Sequence, residues 1–372
     1  MNIFQPLVKD FISVQYCSFE SFYVKPPSFV SSMADETDEV VRENVRFEYP
    51  VIIPKGVIAS TGCILLLHGL NEANWDKYRN WAVYLANMTG KTVILFPIAF
   101  HINRAPEWWR NPRENRPLMD KRMAESVNNG ALSFANVALS ERLSQHPSRF
   151  YLSGRQTISD IVCLIRQIRS GNHPWLTSEA AVDFFGYSIG SFLSEIMLMA
   201  NPFHLFDRSK LFIFCGGSIF KYMHGTSRFI MDKVAYNRIF QFYCEEWLEK
   251  TEKLHVIDKQ EDALLKAFNA MILPEVHRAD RLDFFKKKRF DIAGISLFKD
   301  RVMPFDGVEA CMGKVLAADC FQQLDFPFDY SHESPFPLRA QVSEVLMNEC
   351  FQKVFTKASL FLTGGKVNNS FA

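Results

Sequence analysis

The feature that most constrains this chain is a series of short, largely apolar segments that alternate with stretches of helical periodicity. Residues 63–67, 92–96 and 181–185 are segments of this kind, and such runs are typical of strands covered on both faces, as in a parallel sheet. Residues 75–88 and 190–199 have the apolar spacing that predicts helices. The alternation predicts an α/β fold with a doubly wound, mostly parallel sheet.

Residues 220–288 interrupt this alternation, because they show the pattern of two or three amphipathic helices and no strand. Strand patterns return at residues 291–297, and residues 338–362 have the pattern of a last helix. The helical block is therefore interpreted as an insertion between two late strands. The predicted organisation is an N-terminal arm (1–38), a core (39–219 and 289–372) and a helical insertion (220–288).

Charge and cysteine usage argue against several classes of protein. The chain has 42 Lys and Arg against 41 Asp and Glu, a net charge of +1, whereas proteins that bind nucleic acid usually show a basic excess. Its eight cysteines form no CxxC pair and no zinc-finger spacing, so we expect buried, reduced thiols and a cytoplasmic location. The N-terminal residues lack the basic start and long apolar stretch of a signal peptide, and we expect no membrane span.

The strongest chemical signal is a G-x-S-x-G motif formed by residues 186–190, with Ser188 at its centre. A bare match to this pattern is weak, but here an apolar strand leads directly into it and a helix begins directly after it. This strand–turn–helix setting is the one that a nucleophile elbow requires. Small residues two before and two after Ser188 avoid a clash on the tight turn, so the motif predicts a nucleophilic serine.

Three further segments accompany the motif in a meaningful order. Residues 66–70 (LLHGL) follow an early strand, residues 294–304 (GISLFKDRVMP) follow a late one, and residues 329–333 (DYSHE) precede the last helix. The second and third of these segments supply an acid and then a histidine after the serine, which is the chain order of α/β-hydrolases. Together the four segments resemble the α/β-hydrolase superfamily, and this resemblance implies an α/β-hydrolase fold.

The resemblance implies a catalytic triad. Ser188 matches the nucleophile, Asp300 the acid that orients the imidazole, and His332 the general base. Asp306 is a nearby alternative for the acid. His101, which follows the strand at 92–96, is the alternative for the base.

The resemblance also implies an oxyanion hole made of backbone N–H groups. One donor would be the N–H of Ile189, directly after the nucleophile, and the other that of Leu70 or Gly69 in the early loop. His68 would shape this loop rather than take part in catalysis.

The helical insertion at 220–288 falls where α/β-hydrolases often carry a cap over the pocket. A long, loop-rich segment at residues 101–150 contains Trp108 and adds a second set of candidate pocket residues. His101, Trp108 and Tyr187 are the possible pocket residues, and the 35 phenylalanines favour an apolar substrate group over a highly charged one.

The resulting hypothesis is a serine hydrolase that cleaves a carboxylic ester, thioester or amide through an acyl-serine intermediate. An acyltransferase using the same triad and a non-catalytic binding or scaffold protein are the alternatives. The expected partner is a small acyl substrate, and the oligomeric state is left open. The sequence has no H-E-x-x-H zinc motif and no phosphate-binding P-loop, so no metal or cofactor is implied.

Overall fold

The fold is built on one mixed sheet of eight strands in the order β1-β2-β4-β3-β5-β6-β7-β8. The two pairings at the β1 edge, β1 with β2 and β2 with β4, are antiparallel, and all the others are parallel. The strands are β1 (Ile12–Glu20), β2 (Arg46–Pro54), β3 (Ser60–Leu67), β4 (Thr92–Leu95), β5 (Leu176–Tyr187), β6 (Leu211–Phe214), β7 (Ile292–Leu297) and β8 (Phe321–Leu324). The computed structural model describes residues 12–22, 24–25, 27, 30, 38, 41–126, 129–254, 256, 258–337 and 342–365.

Helices cover both faces of this sheet. The longer ones are α1 (Asp76–Thr89), α2 (Arg116–Glu125), α3 (Val137–Gln145), α4 (Arg149–Arg169), α5 (Ile189–Ala200), α6 (Lys233–Gln241), α7 (Lys259–Ala270), α8 (Arg278–Lys287), α9 (Phe305–Met312), α10 (Lys314–Cys320) and α11 (Glu344–Leu362). Helix α6 continues through a π-helical turn, Phe242–Trp247, and a last turn, Leu248–Thr251. Short helical turns occur at Arg42–Val45, Ile102–Arg104, Glu107–Arg110, Pro202–His204 and Phe220–Tyr222.

The apolar runs of the strands fill two separate layers of core. In β3, Leu65 packs in the layer that contains Ile161 of α4, whereas Leu66 lies on the opposite face with Trp81 of α1 and Phe355 of α11. Successive side chains of a strand point to opposite faces, so a strand that is covered on both must be apolar throughout. The predicted doubly wound sheet is confirmed, and it is the sheet of the α/β-hydrolase fold.

The position of β1 corrects the prediction that residues 1–38 form an arm outside the core. Residues 12–20 were assigned to the arm, but they form an edge strand that pairs with β2, and Phe19 is buried against Phe47 and Phe96. Val14 and Tyr16 stay exposed, so the strand lacks the buried run that identified the others. Residues 1–11 of the predicted arm lie outside the described residues.

The segment at 101–150 is more regular than the predicted long loop. It contains α2, α3 and the start of α4, and it packs on the residues of the helical insertion. Asn136 Nδ2 donates to the carbonyl oxygen of Ser227 at 2.8 Å, and the N–H of Asp232 donates to Ser140 Oγ at 2.9 Å. We call residues 116–126, 129–145 and 220–251 the cover, because they pack on one another and residues from both parts line the cavities described below.

The remaining features of the fold concern its cysteines and the length of its apolar helices. All eight cysteines are free. Within the part of the chain that the structure describes, no helix combines the length and the apolar character that crossing a membrane requires.

Candidate active site

Ser188 lies on a strained turn between β5 and α5. Its backbone has φ 56° and ψ −124°, a region that non-glycine residues rarely adopt. A Cβ atom added to Gly186 would lie 2.5 Å from Ser191 Cα, and one added to Gly190 would lie 2.3 Å from the carbonyl oxygen of Leu67. Both flanking positions therefore require glycine because backbone atoms approach them closely.

The structure brings Ser188, His332 and Asp300 together. His332 Nε2 lies 2.7 Å from Ser188 Oγ, and His332 Nδ1 lies 2.8 Å from Asp300 Oδ2. All three residues are at most 5% exposed. Because an ionised carboxylate can only accept, Nδ1 carries the proton and Nε2 is left as an acceptor for the serine hydroxyl.

The backbone after β7 holds the carboxylate of Asp300 in place. Its second oxygen, Oδ1, accepts hydrogen bonds from the N–H groups of Val302 and Met303, both at 2.9 Å. Asp306, the alternative acid, is an exposed residue in the first turn of α9. His101, the alternative base, has its Nδ1 bonded to the carbonyl oxygen of Ala99 at 2.9 Å.

The two loops predicted to form an oxyanion hole meet beside the nucleophile. Leu70 and Ile189 line the same cavity as Ser188. Ile189 is the first residue of α5, so its N–H has no acceptor within the helix and lies at the positive end of the helix dipole. The N–H of Gly69, in contrast, donates to the hydroxyl of Tyr78 at 3.0 Å.

His68 supports the first of these loops from below. Its Nδ1 bonds to the carbonyl oxygen of Gly69 at 2.7 Å, and its Nε2 accepts the N–H of Ile98 at 3.0 Å. Burial lowers the pKa of His68 well below its usual value, so the ring is neutral. Both ring nitrogens are occupied, and the side chain shapes the loop.

Two cavities meet beside Ser188. The first chamber is a space of about 490 Å³, including its open mouth, lined by Ser188, Leu70, Phe150, Ile189, Phe220, Met223, Gly225, Ile230, Met231, Tyr236, Ile239, Val302 and Met303. The second chamber, of about 800 Å³ including its open mouth, shares Leu70, Phe150 and Ile189 with it and extends between α3, α4, α5 and α7. Most of the walls of both are apolar.

The three possible pocket residues have different positions. His101 lines the second chamber, and burial lowers its pKa to about 4. Trp108 is 51% exposed and lines a groove on the surface, not either chamber. Tyr187 is fully buried beneath the site and belongs to the lining of neither chamber, because the residue before the nucleophile points back into the core.

Tyr187 instead fixes the loop that carries His332, a role that the sequence did not suggest. Its hydroxyl donates to the carbonyl oxygen of His332, and its ring stacks on the imidazole with 5.5 Å between centroids. Burial raises the pKa of Tyr187 well above its usual value, so the hydroxyl keeps its proton and remains a donor. Lys77 Nζ adds a hydrogen bond to the carbonyl oxygen of Glu333 at 3.1 Å.

Two side chains link the site loops to the cover. The Glu333 carboxylate accepts a hydrogen bond from Ser227 Oγ; burial opposes its ionisation, but the hydrogen bonds outweigh burial and lower the pKa of Glu333. Asn71, next to Leu70, donates through Nδ2 to the carbonyl oxygens of Ala135 and Phe229 at 2.8 Å each. Partners so distant along the chain leave no sequence signal.

The sheet order and the position of Ser188 after β5 agree with the predicted α/β-hydrolase fold. The chain belongs to a protein family described as "Family of unknown function (DUF6051)", which it matches over residues 13–363. No curated protein matches the sequence.

Several solved structures are similar in fold at low identity. A bacterial heroin esterase shares 12% identity over 97% of this chain and 87% of its own, with a TM-score of 0.47. Vibralactone cyclase shares 10% over 96% and 83%, with a TM-score of 0.47. Carboxyl esterase 2 from the mycorrhizal fungus Tuber melanosporum shares 11% over 95% and 89%, with a TM-score of 0.45.

Proposed function

We propose that this protein is a serine hydrolase that cleaves a carboxylic ester, thioester or amide through an acyl-serine intermediate. The observation that carries the proposal is the hydrogen-bonded series from Ser188 Oγ through the His332 imidazole to the Asp300 carboxylate. The unfavourable backbone of Ser188 adds support, since strain of this kind persists where the surroundings enforce it, and it is common at active sites.

In the first half of the reaction, Ser188 Oγ attacks the carbonyl carbon of the substrate while His332 Nε2 takes the hydroxyl proton. Asp300 keeps the imidazole oriented and stabilises the imidazolium that forms. The N–H groups of Leu70 and Ile189 would then bind the oxyanion. We assign Leu70 rather than Gly69 because the N–H of Gly69 is already bonded to Tyr78.

The bond from the carbonyl carbon to the leaving oxygen, sulfur or nitrogen then breaks while His332 gives that atom its proton, and the acyl group remains on Ser188. In the second half, a water molecule, deprotonated by His332, attacks the acyl carbonyl carbon. The bond to Ser188 Oγ breaks, the serine recovers its proton, and a carboxylic acid is released. This chemistry uses only the side chains and backbone groups named above.

Labelling with a fluorophosphonate probe tests this proposal. We expect the wild type to be labelled and Ser188→Ala to lose labelling, with turnover of nitrophenyl acetate reduced by several orders of magnitude, as for other triads. Ser194→Ala removes a buried serine of the same helix whose hydroxyl donates to the carbonyl of Gly190, so it should still be labelled. A wild type without labelling or esterase activity would favour a binding or scaffold protein.

A further inference from the structure

The second chamber lies beside the oxyanion loops and away from the catalytic base. Its lining comes from the loops after β3 and β4 and from helices α3, α4, α5 and α7. None of the residues that line it belongs to the loops after β7 and β8, which carry Asp300 and His332. The chamber therefore opens on one particular side of a substrate carbonyl.

That side is the acyl side. If the proposed function is correct, the carbonyl oxygen points to the N–H groups of Leu70 and Ile189, and the leaving atom must lie near His332 Nε2, which protonates it. The acyl group is attached on the side opposite the leaving atom. It therefore extends past Phe150, which borders both chambers, into the second chamber.

The arginines at the wall of the second chamber are all held in ion pairs. Arg142 and Arg149 share the Asp38 carboxylate at 3.0 and 2.8 Å, and Arg155 pairs with Glu261 at 2.7 Å. The imidazole of His101 is neutral near pH 7, because burial lowers its pKa to about 4. An anionic acyl group would have to compete with Asp38 and Glu261 for these arginines, and any charged group would lose its hydration among walls that are mostly apolar.

A glycine inside a helix contributes to the size of this chamber. Gly154 is within α4 and lines the chamber, although glycine is unfavourable in the interior of a helix. A Cβ atom added there would meet only Leu193 Cδ1 at 3.4 Å, which is an ordinary van der Waals contact. The position thus tolerates a side chain, and the lack of one leaves open space at the wall.

We propose that the second chamber binds a long, uncharged, apolar acyl chain and that Gly154 sets the space available to it. This inference rests on the proposed function, because the hydrolysis reaction defines which side of the ester enters the chamber. The substrate class would be neutral esters of medium-chain or long-chain aliphatic acids. Each methylene group buried in such a chamber adds to binding.

The first test compares kcat/KM for nitrophenyl decanoate with kcat/KM for nitrophenyl acetate. We expect this ratio to be about 10 or more in the wild type. It should fall at least about tenfold in Gly154→Leu, because the leucine side chain takes the space of the acyl chain. Leu139→Phe fills the chamber from the opposite wall, on α3, and should shift the ratio in the same direction. Gln167→Leu adds a leucine to the exposed face of the same helix, so its ratio should equal that of the wild type.

The second test measures binding without catalysis. Decanamide, a neutral compound with a decanoyl group, is titrated calorimetrically into Ser188→Ala and into Ser188→Ala combined with Gly154→Leu, and we expect at least about tenfold weaker binding to the double variant. If this difference is found but the wild type hydrolyses no ester, the chamber binds the apolar chain as proposed and the proposed reaction is wrong. If the wild type hydrolyses esters but Gly154→Leu changes neither the ratio nor the binding, the reaction stands and the assignment of the chamber is overturned.

Discussion

The carboxyl edge of the sheet and the cover are built in different ways. At the carboxyl edge, defined by the loops after β3, β5, β7 and β8, backbone atoms approach so closely that Gly186 and Gly190 admit no Cβ. The cover is held by side chains that reach the backbone of distant segments, as Asn136 reaches Ser227 and Asn71 reaches Phe229. The two regions differ in whether contact depends on the backbone or on polar side chains.

The difference implies that the two regions respond differently to substitution. A backbone contact at the carboxyl edge cannot relax without moving a strand, since protein interiors are close-packed. A polar contact in the cover can be lost with the strands left in place. Geometry at the nucleophile should therefore be sensitive to a single methyl group, whereas the cover should loosen locally.

The largest effect should come from Gly190→Ala at the carboxyl edge. The added methyl would lie 2.3 Å from the carbonyl oxygen of Leu67, so we expect a loss of about 3 kcal/mol or more in the free energy of unfolding, at or above the upper end for overpacking. Fluorophosphonate labelling of Ser188 should be lost as well. Gly130→Ala is the control, because nothing lies within 4 Å of a Cβ there; equal stability of the two variants in urea unfolding would contradict the comparison.

An intermediate effect should come from Asp232→Asn in the cover. Asp232 is fully buried and pairs with the buried Arg122 at 2.6 Å, so removing its charge leaves a buried cation that retains the Glu141 carboxylate but loses its most buried counter-charge. We expect a loss of about 2–4 kcal/mol and faster hydrogen exchange in α2, α3 and α6, while Ser188 is still labelled by a small fluorophosphonate. Loss of labelling equal to that in Gly190→Ala would show that the cover and the carboxyl edge are not separable.

The matched control for the cover is an ion pair on its surface. Arg116 and Asp120 form an i,i+4 pair in α2 with both side chains more than half exposed. Exposed pairs of this kind contribute little to stability. Asp120→Asn should therefore leave hydrogen exchange in the cover unchanged.

The smallest of the three effects should be a dependence of the free energy of unfolding on pH. It should come from His101, which lies where the two regions meet. Burial lowers the pKa of His101 from 6.5 to about 4, so between these values the unfolded chain takes up a proton that the folded chain does not. Stability is therefore lost as the pH falls from 6.5 towards 4, by at most about 3 kcal/mol from this residue. His101→Asn keeps a donor for Ala99 and should flatten the curve of unfolding free energy against pH, whereas the exposed His204→Asn should not.

The parts of the fold that could be predicted are those fixed by neighbouring residues. The apolar run at 63–67 identified β3 because a strand buried on both faces leaves no room for polar alternation. The elbow around Ser188 was visible because its strand, its glycines and its helix lie within a few residues of one another. Asp300 and His332 were placed by their order along the chain and by the loops that hold them.

The parts that could not be predicted depend on partners far apart in the sequence. Tyr187 was expected in the pocket, since nothing local shows that its hydroxyl would bond to His332. The strand at residues 12–20 was missed because its exposed residues carry no buried pattern. The second chamber lies between helices separated by more than a hundred residues, so its size depends on packing and not on a motif.

The hydrogen bond from Tyr187 to the carbonyl of His332 ties the position of the imidazole to the sheet rather than to the loop that carries it. Tyr187 is the last residue of β5, and its ring packs among Tyr78, Trp81 and Phe214, so its hydroxyl is held rigidly relative to the sheet. Residues 325–337 have little regular structure of their own. The imidazole is thus anchored to the sheet by the residue that precedes Ser188. We therefore expect changes of length in residues 325–331 to leave the imidazole in place as long as the tyrosine hydroxyl is kept.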